Sequence, residues 1–120
     1  MHDNWVEMAA GLSGPLKELR TGLPEVMKSF SLLAHAAMDG KALDPKTKEL
    51  IAFGISVAVR CDACIAFHAE SAVRQGATRD EVMETMGMAI YMGSGPSVMY
   101  AAQAIEAYDQ FQAKADAGKV

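Results

Sequence analysis

Cys61-Asp62-Ala63-Cys64-Ile65-Ala66-Phe67-His68, closed eight residues later by Gly76-Ala77-Thr78-Arg79-Asp80-Glu81, is the stretch that decides how this chain folds. Apolar and small residues recur through it at helical spacing, Gly76 is a natural residue just past a helix end, and Thr78-Arg79-Asp80-Glu81 has the form of a capping box that starts another helix. The stretch therefore reads as helix, tight turn, helix. On a helix of about 100° per residue, Cys61, Cys64 and His68 fall within roughly 60° of one another, so one face carries two thiols and a base.

The rest of the chain extends this pattern in both directions. Downstream, Val82, Met86, Ala89 and Ile90 form a buried stripe, Gly93-Ser94-Gly95-Pro96 reads as a helix connection, and a last helix places Val98, Ala101, Ala102 and Ile105 on one side. The tail after Phe111 is expected to dissolve. Upstream, Asp44-Pro45 is an N-cap and first-turn proline, opening a helix expected to turn Leu50, Ile51, Gly54, Ile55 and Ala58 inward. Pro24 opens another that runs to Met38 with Val26, Phe30, Leu33 and Ala37 on a shared face, ended by Gly40. Gly11-Leu12-Ser13-Gly14-Pro15 breaks the first helical stretch, from Trp5 to Arg20. No strand signal competes, so the fold class is all-α, a bundle of about six helices. Residues 1–22 read as an N-terminal helical arm and 23–120 as the main body of a single domain.

Composition narrows the functions. A net charge of -4 with scattered Lys and Arg gives no footprint for nucleic acid. No apolar run approaches the roughly 18 residues of a membrane span, and the start lacks a secretory signal, so a cytoplasmic location is expected. Hydrophobic content of 51% with 7% aromatics and nine Met describes closely packed helices with apolar surface to spare, which points to self-association. In a reducing cytosol a close cysteine pair is catalytic or redox-sensing rather than a permanent staple.

The cysteine pair carries the chemistry. A thiol is nucleophilic as thiolate, and the imidazole of His68, a helix N-terminus and Arg60 all favour that form, while Asp62 opposes it. Once one sulfur is oxidised, the other lies close enough to condense with it into a Cys61–Cys64 disulfide. Inert packing and a structural zinc site are the competing readings; zinc wants four ligands, and the chain has two Cys and three His (His2, His35, His68) without a second paired motif. His35 reads as a core or interface histidine, and His2 attracts no role. One requirement is unwritten: a helix start at Cys61 needs the preceding helix to end, yet no Gly or Pro separates Val59 from Cys61.

Glu49, Cys61-x-x-Cys64-x-x-x-His68, Gly76, Glu81 and a looser Gly-x-Pro at Gly93 to Pro96 together resemble the AhpD-like branch of the carboxymuconolactone decarboxylase superfamily, over roughly Leu23 to Phe111. The resemblance implies an AhpD-like helical subunit assembling into homotrimers or homohexamers. It further implies a thiol-dependent peroxidase or disulfide oxidoreductase that reduces alkyl hydroperoxides. Its catalytic residues would be Cys64 as attacking thiol, Cys61 as resolving thiol, and His68 oriented by Glu49 as proton relay. The implied partners are a small hydroperoxide and an external dithiol or lipoyl reductant, with no cofactor beyond the Cys61–Cys64 disulfide and no metal. Family peroxidases often carry a histidine just before the second cysteine, where this chain has Ala63, which fits a general disulfide reductase equally well. The alternatives are a redox-sensing or structural oligomer without turnover and the non-redox decarboxylase branch, which typically lacks the cysteine pair.

Overall fold

The computed structural model describes residues 3–118, and every regular element among them is a helix. In chain order these are α1 (Trp5–Gly11), α2 (Ser13–Gly22), α3 (Pro24–Met38), α4 (Pro45–Ala58), α5 (Asp62–Arg74) and α6 (Arg79–Ala117). Their starts follow from capping chemistry. Asn4 accepts the amide of Glu7, Asp44 accepts that of Thr47 at 2.7 Å, and Thr78 and Glu81 exchange the reciprocal pair of a capping box. Pro24 and Pro45 occupy first-turn positions, where a missing N–H costs nothing. The expected break in the first helical stretch falls at Leu12, between α1 and α2.

The core lies where α4, α5 and α6 pack on one another, with α1 laid across α5 and α6. Trp5, Phe53, Val57, Ile65, Val82 and Met86 are its large buried side chains. Removing each from water contributes about 1.5–3 kcal/mol. Small residues set the spacing: Ala66, Ala69 and Ala72 of α5 and Ala101, Ala104 and Ala107 of α6 are all buried, and a methyl at Gly54 would come within 3.2 Å of the Thr85 side chain across the α4–α6 contact. Gln110 pins α1 to α6, accepting the amide of Trp5 and donating to the carbonyl of Asp3.

Three expectations change. First, the helix connection read at Gly93–Pro96 is present as a kink at Ser94 (φ 60, ψ -149) where two helical segments of α6 meet, but the second segment continues to Ala117, past the expected end at Phe111. Pro96 cannot continue an intact α-helical ladder, and the departure two residues before it gives the second half of α6 a fresh start. Second, α4 buries Glu49, Phe53, Ser56 and Val57, not the aliphatic face. Leu50 is half-buried, while Ile51, Ile55 and Ala58 face outward. The helix is apolar nearly all round, so its periodicity gave no direction. Third, α2 and α3 bury no residue, and Val26, Phe30 and Leu33 of the shared α3 face stand in solvent. The helix forms as read, and none of the described residues covers that face. His35 is likewise exposed on α3, and His2 lies outside the described residues.

Candidate functional site

The break required before Cys61 is present, and backbone geometry makes it. Arg60 adopts φ 60, its amide bonds to the carbonyl of Val57 at 3.1 Å, and the amide of Cys61 bonds to the carbonyl of Ser56 at 3.1 Å. This pair of bonds is a Schellman motif, which ends a helix by one left-handed residue, usually glycine. An arginine occupies that position here at a cost of about 1–2 kcal/mol, and no local signal in the sequence announces it. Ser56, buried within α4 with its hydroxyl donating to the carbonyl of Ala52, supplies the acceptor that anchors Cys61.

The chain direction then resets and α5 begins. Cys61 is its N-cap, with its sulfur accepting the amide of Cys64 at 3.2 Å, where Ser, Thr, Asp or Asn ordinarily serves. Cys61 and Cys64 are disulfide-bonded, their Cα atoms 5.1 Å apart. Both are half-buried, so the bridge is reachable from solvent. A sulfur released by reduction would sit at the positive end of the α5 dipole, which favours negative charge.

His68 follows one turn beyond Cys64. Its Nδ1 donates to the carboxylate of Glu49, which reaches across from α4. The two side chains differ in exposure: Glu49 retains 7% of its side-chain surface and His68 35%. The acid is shielded and the imidazole keeps an open edge. With Nδ1 committed to Glu49, Nε2 is left as the nitrogen able to take or give a proton. The unexpected inward turn of α4 is what places Glu49 here. Among the described residues no group of three or more His, Cys, Asp or Glu side chains could hold a metal ion. No helix among them is long and apolar enough to cross a membrane.

Of the four residues singled out in the sequence, the structure pairs Glu49 with His68 and Cys61 with Cys64, the two pairs joined through α5, on which His68 lies one turn beyond Cys64. Arg60 and Ser56, which shape the α4–α5 junction through the backbone, were not among them.

Known proteins carry the same arrangement of helices. A carboxymuconolactone decarboxylase family protein from Legionella pneumophila superimposes with a TM-score of 0.89 at 48% identity, over 92% of this chain and 99% of its own. A second family protein, from Thermotoga maritima, has been suggested to take part in the antioxidative response. It matches with a TM-score of 0.82 at 26% identity, over 94% of this chain and 97% of its own. A Haemophilus influenzae protein of uncharacterised function is 37% identical over 108 residues, 90% of this chain and 96% of its own length. The model of the carboxymuconolactone decarboxylase family matches residues 24–107. By that match, and by a helical frame that carries the cysteine pair, the chain belongs to the carboxymuconolactone decarboxylase family.

Proposed function

We propose that this protein is a thiol-dependent peroxidase of the AhpD-like type, reducing small alkyl hydroperoxides through Cys64 and Cys61. The observation that carries the reading is the junction itself: a disulfide-bonded cysteine pair at a helix start, with an imidazole one turn on whose Nδ1 is held by a buried carboxylate. In the reduced protein His68 Nε2 takes the proton of Cys64. The Cys64 thiolate attacks the terminal peroxide oxygen, the O–O bond breaks, and the proton held by His68 passes to the departing alkoxide, giving an alcohol and a sulfenic acid on Cys64. Cys61 then attacks that sulfur as thiolate, and hydroxide leaves with the Cys61 proton as water. One hydroperoxide has been reduced and one dithiol oxidised, and the resulting disulfide is the species present in this structure. An external dithiol protein or dihydrolipoyl group restores the pair by exchange through a mixed disulfide. The subunit works in the reducing cytosol as a homotrimer or homohexamer.

Stopped-flow mixing of the reduced protein with cumene hydroperoxide tests this. Disulfide should form far faster than a free thiol reacts. Cys64→Ser should remove the reaction, and Cys61→Ser should stop it at a sulfenic acid that dimedone traps. Thiols that react no faster than free cysteine would sink the peroxidase and leave a redox-sensing oligomer. Ala63, standing where family peroxidases carry a histidine, favours general disulfide reduction as the second reading. Faster turnover of small disulfides than of peroxide would select it.

A further inference from the structure

Among the described residues, two that are not glycine take a positive φ: Arg60 and Ser94, each at φ 60. Arg60 closes the turn after α4, directly before Cys61. Ser94 is the kink of α6, where ψ is -149, a combination ordinarily left to glycine. Far apart in sequence, the two flank a single contact, between Gly93 of α6 and Ala58 of α4.

At that contact there is no room for a side chain on Gly93. A methyl there would stand 1.9 Å from the Ser97 hydroxyl oxygen, 3.0 Å from Ser97 Cβ and 4.0 Å from the Cα of Ala58, the last residue of α4. Ser97 is buried, so its side chain cannot swing outward to make space. Gly95, on the other side of Ser94, has open space around it. Gly93 therefore serves close approach, and the strained dihedral falls on its neighbour. From Ala58 the path to the sulfur is short and made of backbone. The amides of Arg60 and Cys61 bond to the carbonyls of Val57 and Ser56, the two residues just before Ala58. Cys61 Sγ in turn accepts the Cys64 amide at 3.2 Å. A left-handed arginine persists only where its surroundings over-determine it, and the element that presses on this end of α4 is the kink of α6.

We propose that Gly93 and Ser97 are positioning residues of the redox site: the kink of α6, seated on Ala58, holds the Arg60 turn in its left-handed form and so keeps the Cys61 sulfur within reach of Cys64. The inference rests on reading Cys61 and Cys64 as a redox pair. In the dithiol form no covalent bond restrains the turn, so the seat on Ala58 is what keeps the two sulfurs together. Loosening the seat lets the dithiol form relax away from that geometry, and closing the disulfide becomes less favourable.

The test is the equilibrium of the full chain with glutathione, in which the protein dithiol passes two electrons and two protons to glutathione disulfide, giving the protein disulfide and two glutathione thiols. Peroxide takes no part. Gly93→Ala should lower the equilibrium constant for disulfide formation about tenfold, equivalent to about 30 mV. In the oxidised variant the Arg60 and Cys61 amides should exchange with solvent faster by NMR, with those of Gly76 and Ala77 unchanged. Gly93→Ala combined with Ser97→Gly, which clears the space for the methyl, should return both readouts to wild-type values. Ser97→Ala leaves a gap at the contact without a clash, so it reports even where Gly93→Ala fails to fold; it should lower the constant about two- to threefold. Gly76→Ala strains the other turn of α5 and should leave the constant where it is, because both redox forms carry the strain. An unchanged constant in Gly93→Ala or in Ser97→Ala, no recovery in the double variant, or an equal shift in Gly76→Ala would each overturn the proposal. The expected shifts together with a slow reaction toward peroxide would remove the peroxidase and leave the positioning role standing.

Discussion

The two ends of α5 do the same structural job with opposite chemistry. Each joins α5 to a neighbour through a Schellman turn: Arg60 before it, Gly76 after it. At the far end every residue suits its place. Gly76 takes φ 79 without strain, Thr78 and Glu81 cap α6 reciprocally, Lys46 pairs with Glu81 at 2.8 Å, and the Tyr108 hydroxyl donates to the carbonyl of Ala77 at 2.7 Å. At the near end an arginine holds the left-handed position and a cysteine sulfur serves as the cap. Local fit is given up where the sulfurs sit and kept where no chemistry is expected. The near end is thus held in place by the rest of the fold rather than by the preferences of its own residues.

Perturbing the near end should change chemistry most. His68→Ala is expected to slow peroxide-driven disulfide formation by about 10²–10⁴-fold, and Glu49→Gln by less, with the fold retained by circular dichroism. Equal rates in wild type and His68→Ala would erase the contrast between the two ends. At the far end the expected effects are on stability. Gly76→Ala meets open space around its new methyl, so its cost is the left-handed backbone alone, about 1–2 kcal/mol in a urea titration. Thr78→Ala removes one half of the capping box and should cost about 1 kcal/mol. Arg60→Gly should move the other way, gaining up to about 1 kcal/mol from relieved strain, less the extra freedom of glycine in the unfolded chain. If Arg60→Gly instead destabilises as much as Gly76→Ala, the near end is not strained.

The smallest effect is a pH dependence at the far end. Hydrogen bonding to Lys46 and to the Thr78 amide holds the Glu81 carboxyl below its ordinary value of 4.5. A depressed acid contributes stability that is complete above 4.5 and is lost as the pH falls through the lower folded value. Acid titration should therefore show a loss beginning below pH 4.5 that Glu81→Gln reduces. The pair is solvent-exposed, so added salt should shrink it too.

The sequence alone determined where most helices start and stop, because capping boxes, first-turn prolines and a glycine past a helix end act through dihedral preference and neighbouring hydrogen bonds. It likewise put Cys61, Cys64 and His68 on one face, since a single helix carries all three. Glu49 was legible only through the resemblance to a known family. Tertiary structure decided that α4 turns Glu49 inward and Ile51 and Ile55 outward, that Arg60 takes a glycine's conformation, and that the last helix continues past Phe111 to Ala117. These are settled by which helices press on one another: when a helix is apolar on nearly every side, or a break costs only a kcal/mol or two, packing across the fold outweighs the local signal.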